Sequence, residues 1–366
     1  MILAPMHGAA LSGAADVLRL LLNDLAPVPP GHVPLADGLG RIAATRLTSR
    51  AGQPSRDEAI LTGYAVGALD LVGASAYAPA ILVAHPPLLA AGAPLPAGAD
   101  SIVDARAVTV TGPFAEIHVE SVPGEGVRPR GADVAAGAAI TEAGRPIGAF
   151  ELLMLEREGI AEIEIRSPTL LICAKACPEV RLLARLADAD GAKVHVLPIP
   201  LDAATLRSTI DKTGADLVAI LDADGHAPGS AVAALAAAGD VLATGVAIRP
   251  GRDTAIGRID GVPLFVLPAA PDEAIGAYLL LLRTVLDHLA DRAPRARQAR
   301  PLTDKIASSP GIRELVLLAG DPGGWRPLAI GWAPLSLLAR ADAWMRIEAD
   351  SEGSAEGTLV EGSLLP

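Results

Sequence analysis

A chain of 366 residues with 42 acidic and 30 basic side chains, and a formal net charge of −12, is long enough for two to four domains. It lacks the basic face that a nucleic-acid binder presents. Hydrophobic residues make up 51% and aromatics only 2%, so the cores must be built from Ala, Leu, Val and Ile, and no charge-free apolar run reaches the ~18 residues of a membrane span.

The spacing of Leu18, Leu21, Leu22 and Leu25 predicts a helix over 12–23, ended by Pro27, Pro29 and Pro30. A second short helix is expected over 35–46, with Leu39 and Ile42 on one face and Asp37 as its cap. From 49 to 137 short apolar pieces (65–66, 101–103, 108–111, 117–122) alternate with Gly/Pro turns, the pattern of a small β domain. Residues 147–159 return to helix, and 163–165 read as a strand.

At 169 the pattern changes to strands (169–173, 193–197, 216–221, 241–248, 264–267) alternating with helices (178–189, 202–212, 230–238, 272–290). That alternation argues a parallel sheet covered on both faces, whose ligands sit beyond the carboxyl ends of the strands. Arg292–Arg300, the densest basic run, reads as a solvated linker rather than a phosphate-binding arm. Strands over 314–318, 327–332 and 344–348 then suggest a last small β unit, closing in the Gly/Ser/Glu stretch 350–357. The expected fold class is α/β and multidomain. Its divisions are 1–48 with 138–167 as an elongated mixed domain, 49–137 as a β-rich insertion, 168–293 as the α/β domain, and 294–366 as the C-terminal β domain.

Three ordered segments carry the most specific signal. They are Asp57-Glu58-Ala59-Ile60-Leu61-Thr62-Gly63-Tyr64-Ala65, then Gly92-Ala93-Pro94-Leu95-Pro96-Ala97-Gly98-Ala99-Asp100, then Gly124-Glu125-Gly126-Val127-Arg128-Pro129-Arg130-Gly131-Ala132-Asp133. In order and spacing this trio resembles the molybdopterin molybdenumtransferase family, the MoeA type and the E domain of gephyrin. That family reads D-N-S-x-M-D-G-Y-A, T-G-A-P-L-P-x-G-A-D and G-E-N-x-R-x-x-G-E-D. The resemblance implies an α/β molybdopterin-binding domain at 168–293, a homodimer whose site lies between one subunit's α/β domain and the other's β insertion, and a reaction. In that reaction molybdate is joined to the dithiolene of adenylylated molybdopterin and AMP leaves, with Mg²⁺.

By that resemblance, Arg128, Arg130, Lys175, Asp222, Asp224, Arg249 and Arg252 are candidate substrate-binding residues. Asp57, Asp133, Glu179 and Asp202 fall where the family has acidic residues and form a candidate metal set. Guanidinium forks suit oxyanions. Arg249 and Arg252 replace the lysines of K-P-G-K-P; a solvated strand end would also explain them, and the flanking match favours the ligand. Each carboxylate taken alone also fits a solubilising surface charge.

The departures are equally specific. Thr62 replaces the second aspartate of the first motif, and Asp253 replaces a proline. Asp222-Ala223-Asp224-Gly225-His226 stands where the family has G-G-x-S-x-G, and two aspartates there would repel a diphosphate unless a metal bridges them. Leu267-Pro268-Ala269-Ala270-Pro271 replaces L-P-G-N-P, and alanine is costly if that loop needs a positive φ. Lys175-Ala176-Cys177-Pro178-Glu179-Val180 replaces S-T-G-D-E-L. Cys173 and Cys177 bracket this last loop; as two thiols without a matching His pair they read as core thiols rather than a metal pair. With only these two cysteines, and with no basic start to a signal peptide in 1–15, the sequence predicts a reduced cytoplasmic protein.

Two readings of function result. One is a divergent molybdenum insertase with weak activity. The other is a non-catalytic carrier or scaffold of molybdopterin or finished cofactor, passing it to a molybdoenzyme or another biosynthetic protein.

Overall fold

The computed structural model describes residues 11–198, 200, 202–221 and 229–365. They divide into two compact units: the described residues up to Thr45 with Ala143–Gly148 and the chain from Glu162 onward, and Arg46–Glu142 with Ala149–Ala161.

In the larger unit, α1 (Ala14–Leu22) buries Ala14, Val17, Leu18 and Leu21, with Leu22 and Leu25 packed at the margin, as its 3.6-residue spacing requires. The helix expected over 35–46 does not form. Leu35–Gly38 makes one 3-10 turn, capped by Pro34 without help from Asp37. Gly40 at φ 74° turns the chain out of the helical path, and Ile42–Ala43 joins Gly31–Pro34 and Glu162–Arg166 in a three-stranded antiparallel sheet.

The centre of this unit is a six-stranded sheet. Its elements are β1 (Thr169–Cys173), α2 (Pro178–Ala189), β2 (Lys193–Leu197), α3 (Ala203–Thr213), β3 (Leu217–Leu221), α4 (Ser230–Ala238), β4 (Asp240–Ala243), β5 (Ala255–Ile259) and β6 (Val262–Leu267). Helix α5 follows, running from Pro271–Ala277 through a π turn at Tyr278–Leu282 into Arg283–Leu289. Strand order is β2-β1-β3-β6-β5-β4.

The first four strands are parallel, as expected, but the sheet is mixed: β5 runs antiparallel to both β6 and β4. The β5–β6 hairpin turns at Asp260-Gly261, both at positive φ (49° and 87°), which is the two-residue turn that an Asp-Gly pair favours. Alternate residues of β1 enter opposite cores. Leu170 and Ile172 pack in one, Leu171 and Cys173 in the other, so both faces are covered.

The strand expected over 241–248 is split in two. The chain leaves the sheet after Ala243, Val246 bridges Ser12, and Ile248–Arg249 pairs parallel with Arg313-Glu314. That pairing adds it to a second sheet of Arg313–Asp321, Gly324–Ile330, Ala343–Ile347, Leu359–Leu364 and Gln298–Pro301. The run 292–300 is not a solvated linker at its start: the side chains of Arg292 and Arg295 are 10% and 18% exposed, held by Asp190 and Asp287.

The smaller unit is made of short strands around two small apolar clusters. Gly63–Val66 lies between Leu88–Leu89 and Ser101–Asp104, and Phe114–Ile117 between Ala80–Leu82 and Val108–Thr111. The strand expected over 117–122 instead ends at Ile117, because its register is set by Val108 and Ala80 at that residue. Glu58–Ala59 pairs with Val127–Arg128, and helix Ala149–Arg157 belongs to this unit. Among the described residues no helix is long and apolar enough to cross a membrane.

Candidate functional site

In the smaller unit the three sequence motifs are hydrogen-bonded into one body. The Asp57 carbonyl accepts from Leu95 N–H (2.9 Å), Ala59 N–H donates to Ala93 (2.9 Å), and Ile60 N–H donates to Gly126 (2.8 Å). Asp100, at the end of the Pro-rich loop, accepts from Gly124 N–H (2.7 Å), and Ile102 N–H donates to Glu125 (2.9 Å). A Cβ on Gly126 would sit 2.8 Å from the Ile102 carbonyl, so a glycine at φ 72° is what lets the loops close on each other.

This knitting fixes the candidate residues. The Asp57 carboxylate accepts from the Arg130 backbone N–H (2.8 Å), and the Arg130 guanidinium donates to the Ala51 carbonyl from Nε and Nη2 (3.3 Å each). Arg128 Nη1 pairs with Asp133 at 3.3 Å, with both side chains more than 40% exposed. An ion pair that exposed is worth only ~0–1 kcal/mol. An oxyanion could therefore displace Asp133 from Arg128 at little cost. Thr62, standing where the family has a carboxylate, accepts from Ala91 N–H at 3.4 Å.

In the larger unit the carboxyl ends of β2, β1, β3 and β6 lie along one edge, where α2, α3, α4 and α5 begin. Lys175 and Glu179 follow β1, Asp202 follows β2, and Ala269-Ala270 follows β6. Asp222 and Asp224, with His226, lie outside the described residues. Asp202 is the cap of α3: its Oδ1 accepts from Thr205 N–H (2.9 Å) and its Oδ2 from the Thr205 hydroxyl (2.7 Å). Those bonds hold its carboxyl below the usual carboxylate range.

Cys177 caps α2, its sulfur accepting from Val180 N–H at 3.5 Å; burial, with Glu179 beside it, raises its pKa. The hydrogen bond from this thiol in turn lowers Glu179. Cys173 is buried in the sheet, and desolvation pushes its thiol up to about 12, the state of an inert core thiol. Among the described residues no three His, Cys, Asp or Glu side chains are grouped to hold a metal ion.

The Arg249-Pro250-Gly251-Arg252 turn is the most constrained part of this edge. A Cβ on Gly251 (φ 109°) would lie 2.9 Å from Ala277 N, and one on Gly276 2.5 Å from the Pro250 carbonyl, so the two glycines seat the turn directly on α5. Glu273 accepts from Gly251 N–H, and the buried Thr254 hydroxyl donates to the Gly251 carbonyl (2.6 Å). The two arginines are then used differently. Arg249 Nε donates to Glu314 (2.8 Å), whose side chain is 1% exposed and also accepts from the Ser308 hydroxyl. Arg252 is exposed, with no side-chain hydrogen bond or ion pair among the described residues.

Sequence reasoning missed Glu314 and Glu273. A lone Glu flanked by Arg313 and an apolar run, and a Glu in the first turn of a helix, were the only signals. The loop at Ala269-Ala270 needs no left-handed residue: Ala270 sits at φ −65° and neither alanine has a positive φ, so the cost foreseen for these replacements is not incurred.

Residues 13–159 match the family described as MoeA N-terminal region (domain I and II). Across 94% of the chain, and 97% of the relative, it is 26% identical to molybdopterin molybdenumtransferase 2 of Mycobacterium tuberculosis. It is 26% identical, over 91% of the chain and 92% of the relative, to a putative molybdopterin biosynthesis protein of Methanocaldococcus jannaschii. Its fold is like that of a molybdopterin biosynthesis MoeA protein from Pyrococcus horikoshii, with TM-score 0.70 and 22% identity, over 97% of this chain and 100% of that one. Ordered motifs knit into one body, a helix-lined strand edge and likeness along nearly the whole length agree: residues 13–159 match the MoeA N-terminal region, and the chain as a whole is similar to MoeA-type proteins.

Proposed function

We propose that this protein acts in molybdenum cofactor biosynthesis as a molybdopterin-binding protein whose insertase step is slow. The observation that carries the slow step is the fate of Arg249, the first cation of the R-P-G-R turn. It is committed to a buried carboxylate rather than left to a ligand. Arg252 is exposed beside it, without a side-chain partner among the described residues, and the starts of α2, α3 and α5 offer backbone N–H groups toward the same edge, the arrangement that binds phosphates and other oxyanions.

In this reading Arg252 and Lys175 hold the anionic ligand at the strand ends, and Arg128 and Arg130 present further donors from the β insertion. In a homodimer, the two sets would belong to partner subunits. The four-part domain division and a cytoplasmic location belong to the same proposal. Mg²⁺, implied by the resemblance, finds no grouped donor set among the described residues, with Asp202 and Asp57 already engaged as hydrogen-bond acceptors, so no step is routed through it. Positioning can supply several kcal/mol of a barrier, so a loosely held diphosphate slows turnover by orders of magnitude.

The second reading, a carrier that keeps ligand binding without AMP release, rests on the same commitment of Arg249. AMP release from adenylylated molybdopterin, with molybdate and Mg²⁺, should be far slower than for an ordinary family member; comparable release would overturn both readings in favour of a plain insertase. Light scattering tests the dimer, and a monomer at micromolar concentration would remove the shared site.

A further inference from the structure

At the end of α5 remote from the strand edge, four arginines converge on one cavity. The helix runs from Pro271 to Leu289, a rise of ~27 Å at ~1.5 Å per residue, so this cavity is distinct from the edge described above. Its volume is about 240 Å³, and its lining includes Arg145, Arg283, Arg292, Arg295 and Ser363.

The charges around it do not balance. Asp190 accepts from the Tyr278 hydroxyl (2.6 Å) and from Arg283 Nη2 (3.1 Å), and lies 2.8 Å from Arg295 Nη1. Asp287 takes both remaining arms of Arg295, at 2.8 and 2.6 Å. Arg292 Nη1 donates to the Asp190 carbonyl (3.0 Å), with its Nε 3.9 Å from Asp287. Four cations against these two carboxylates leave a surplus of two, 4 − 2. The C-terminus of α5 offsets only ~0.5 of a charge.

Arg283 forms the inner wall: its side chain is 10% exposed, its Nε lies 3.0 Å from Asp190, and its guanidinium sits 5.9 Å from the centre of the Trp344 ring, so its charge is held beside the cavity. Burial first, and then the neighbouring Arg295, lower the pKa of Arg292, while Asp287 and Asp190 raise that of Arg295.

We infer that this cavity is a binding site for a tetrahedral dianion, a phosphate group either free or carried by a small metabolite. A dianion matches the surplus charge. Planar guanidinium forks suit its oxygens. The volume corresponds to about eight waters at ~30 Å³ each, below the ~300 Å³ where pockets for larger ligands begin, so it admits a phosphate group and a few carbons rather than a nucleotide. The inference does not rest on the proposed function.

The test is calorimetry of the full chain at low ionic strength with inorganic phosphate and, separately, glycerol phosphate. Saturable binding of either probe, competed by sulfate and not by chloride, is expected. Arg145 is exposed and carries no ion pair among the described residues, so Arg145→Gln should keep the fold, checked by an unchanged melting temperature, and weaken phosphate at least about 5-fold. Arg145→Gln/Arg292→Gln should lose it. Tighter binding of glycerol phosphate would identify the source as a phosphorylated metabolite, and equal or weaker binding as free phosphate. No saturable binding of either probe, or binding equal to wild type in Arg145→Gln, would overturn the assignment.

Discussion

Replacing Arg249 with Ala tests whether this arginine belongs to the fold or to the ligand. Glu314 has a side chain 1% exposed and depends on Arg249 for its counter-charge. Breaking a buried pair by removing one partner costs ~3–5 kcal/mol, because a bare charge is left behind. Arg249 is itself 49% exposed, so water can enter the space it vacates, and the Ser308 hydroxyl still donates to Glu314; the expected loss is about 2–4 kcal/mol. All three tryptophans lie in or beside the sheet that holds Glu314: Trp325 and Trp344 are buried in it, and Trp332 is exposed just after one of its strands. Urea unfolding followed by tryptophan fluorescence therefore reports on the right region. The double variant Arg249→Ala/Glu314→Gln should recover most of the loss, since a neutral amide keeps its hydrogen bonds without the orphaned charge. If Arg249→Ala unfolds within about 0.5 kcal/mol of wild type, or the double variant recovers nothing, Arg249 is not a structural counter-ion and remains available to a ligand, as in a plain insertase.

Arg252→Ala should leave stability unchanged, because the side chain is exposed, while weakening molybdate or molybdopterin binding by ~1–3 kcal/mol, the scale of a lost charge-assisted hydrogen bond; an unchanged calorimetric affinity would remove it from the site. Glu158 is held below its ordinary value of 4.5 by the Ser49 hydroxyl first, then by Gln53 and the Arg50 amide. Its native pKa is the lower one, so its contribution is full above pH 4.5 and is lost as pH falls through that depressed value. The acid unfolding of Glu158→Gln should therefore be shallower than that of wild type between pH 4.5 and the acid limit, and coincident acid transitions would show that the carboxylate is not linked to folding. Gly276→Ala places a methyl against the Pro250 carbonyl and should both destabilise the protein and displace Arg252, read as a lower melting temperature together with weaker anion binding; a variant as stable as wild type would show that the turn does not press on α5.

The sequence by itself determined what depends on neighbours along the chain. Pro178–Ala189 and Ser230–Ala238 form helices at the bounds the sequence predicts; Thr169–Cys173 forms the predicted strand because a run of consecutive apolar residues already states burial on both faces, and Lys193–Leu197 forms the predicted strand as the half-buried edge of the same sheet. The three ordered motifs were legible for the same reason: Pro and Gly restrict or free the backbone locally, whatever surrounds them. The Asp260-Gly261 hairpin is legible on the same grounds, since an Asp-Gly pair favours a two-residue turn wherever two strands flank it. Long-range partners decided the rest. Residues 241–248 divide between two sheets because Arg313-Glu314 offers Ile248–Arg249 a better edge, and 35–46 extends because Glu162–Arg166 pairs with it. The candidate cations carry the same lesson. Arg249 and Arg252 are equivalent in sequence, and a buried carboxylate 65 residues away commits the first, while the second has no side-chain partner among the described residues. Arg292 and Arg295 read as a solvated run until Asp190 and Asp287 draw them inward. Charge is written in the sequence, but whether a charge is spent or available depends on which residue folding brings within 3 Å of it.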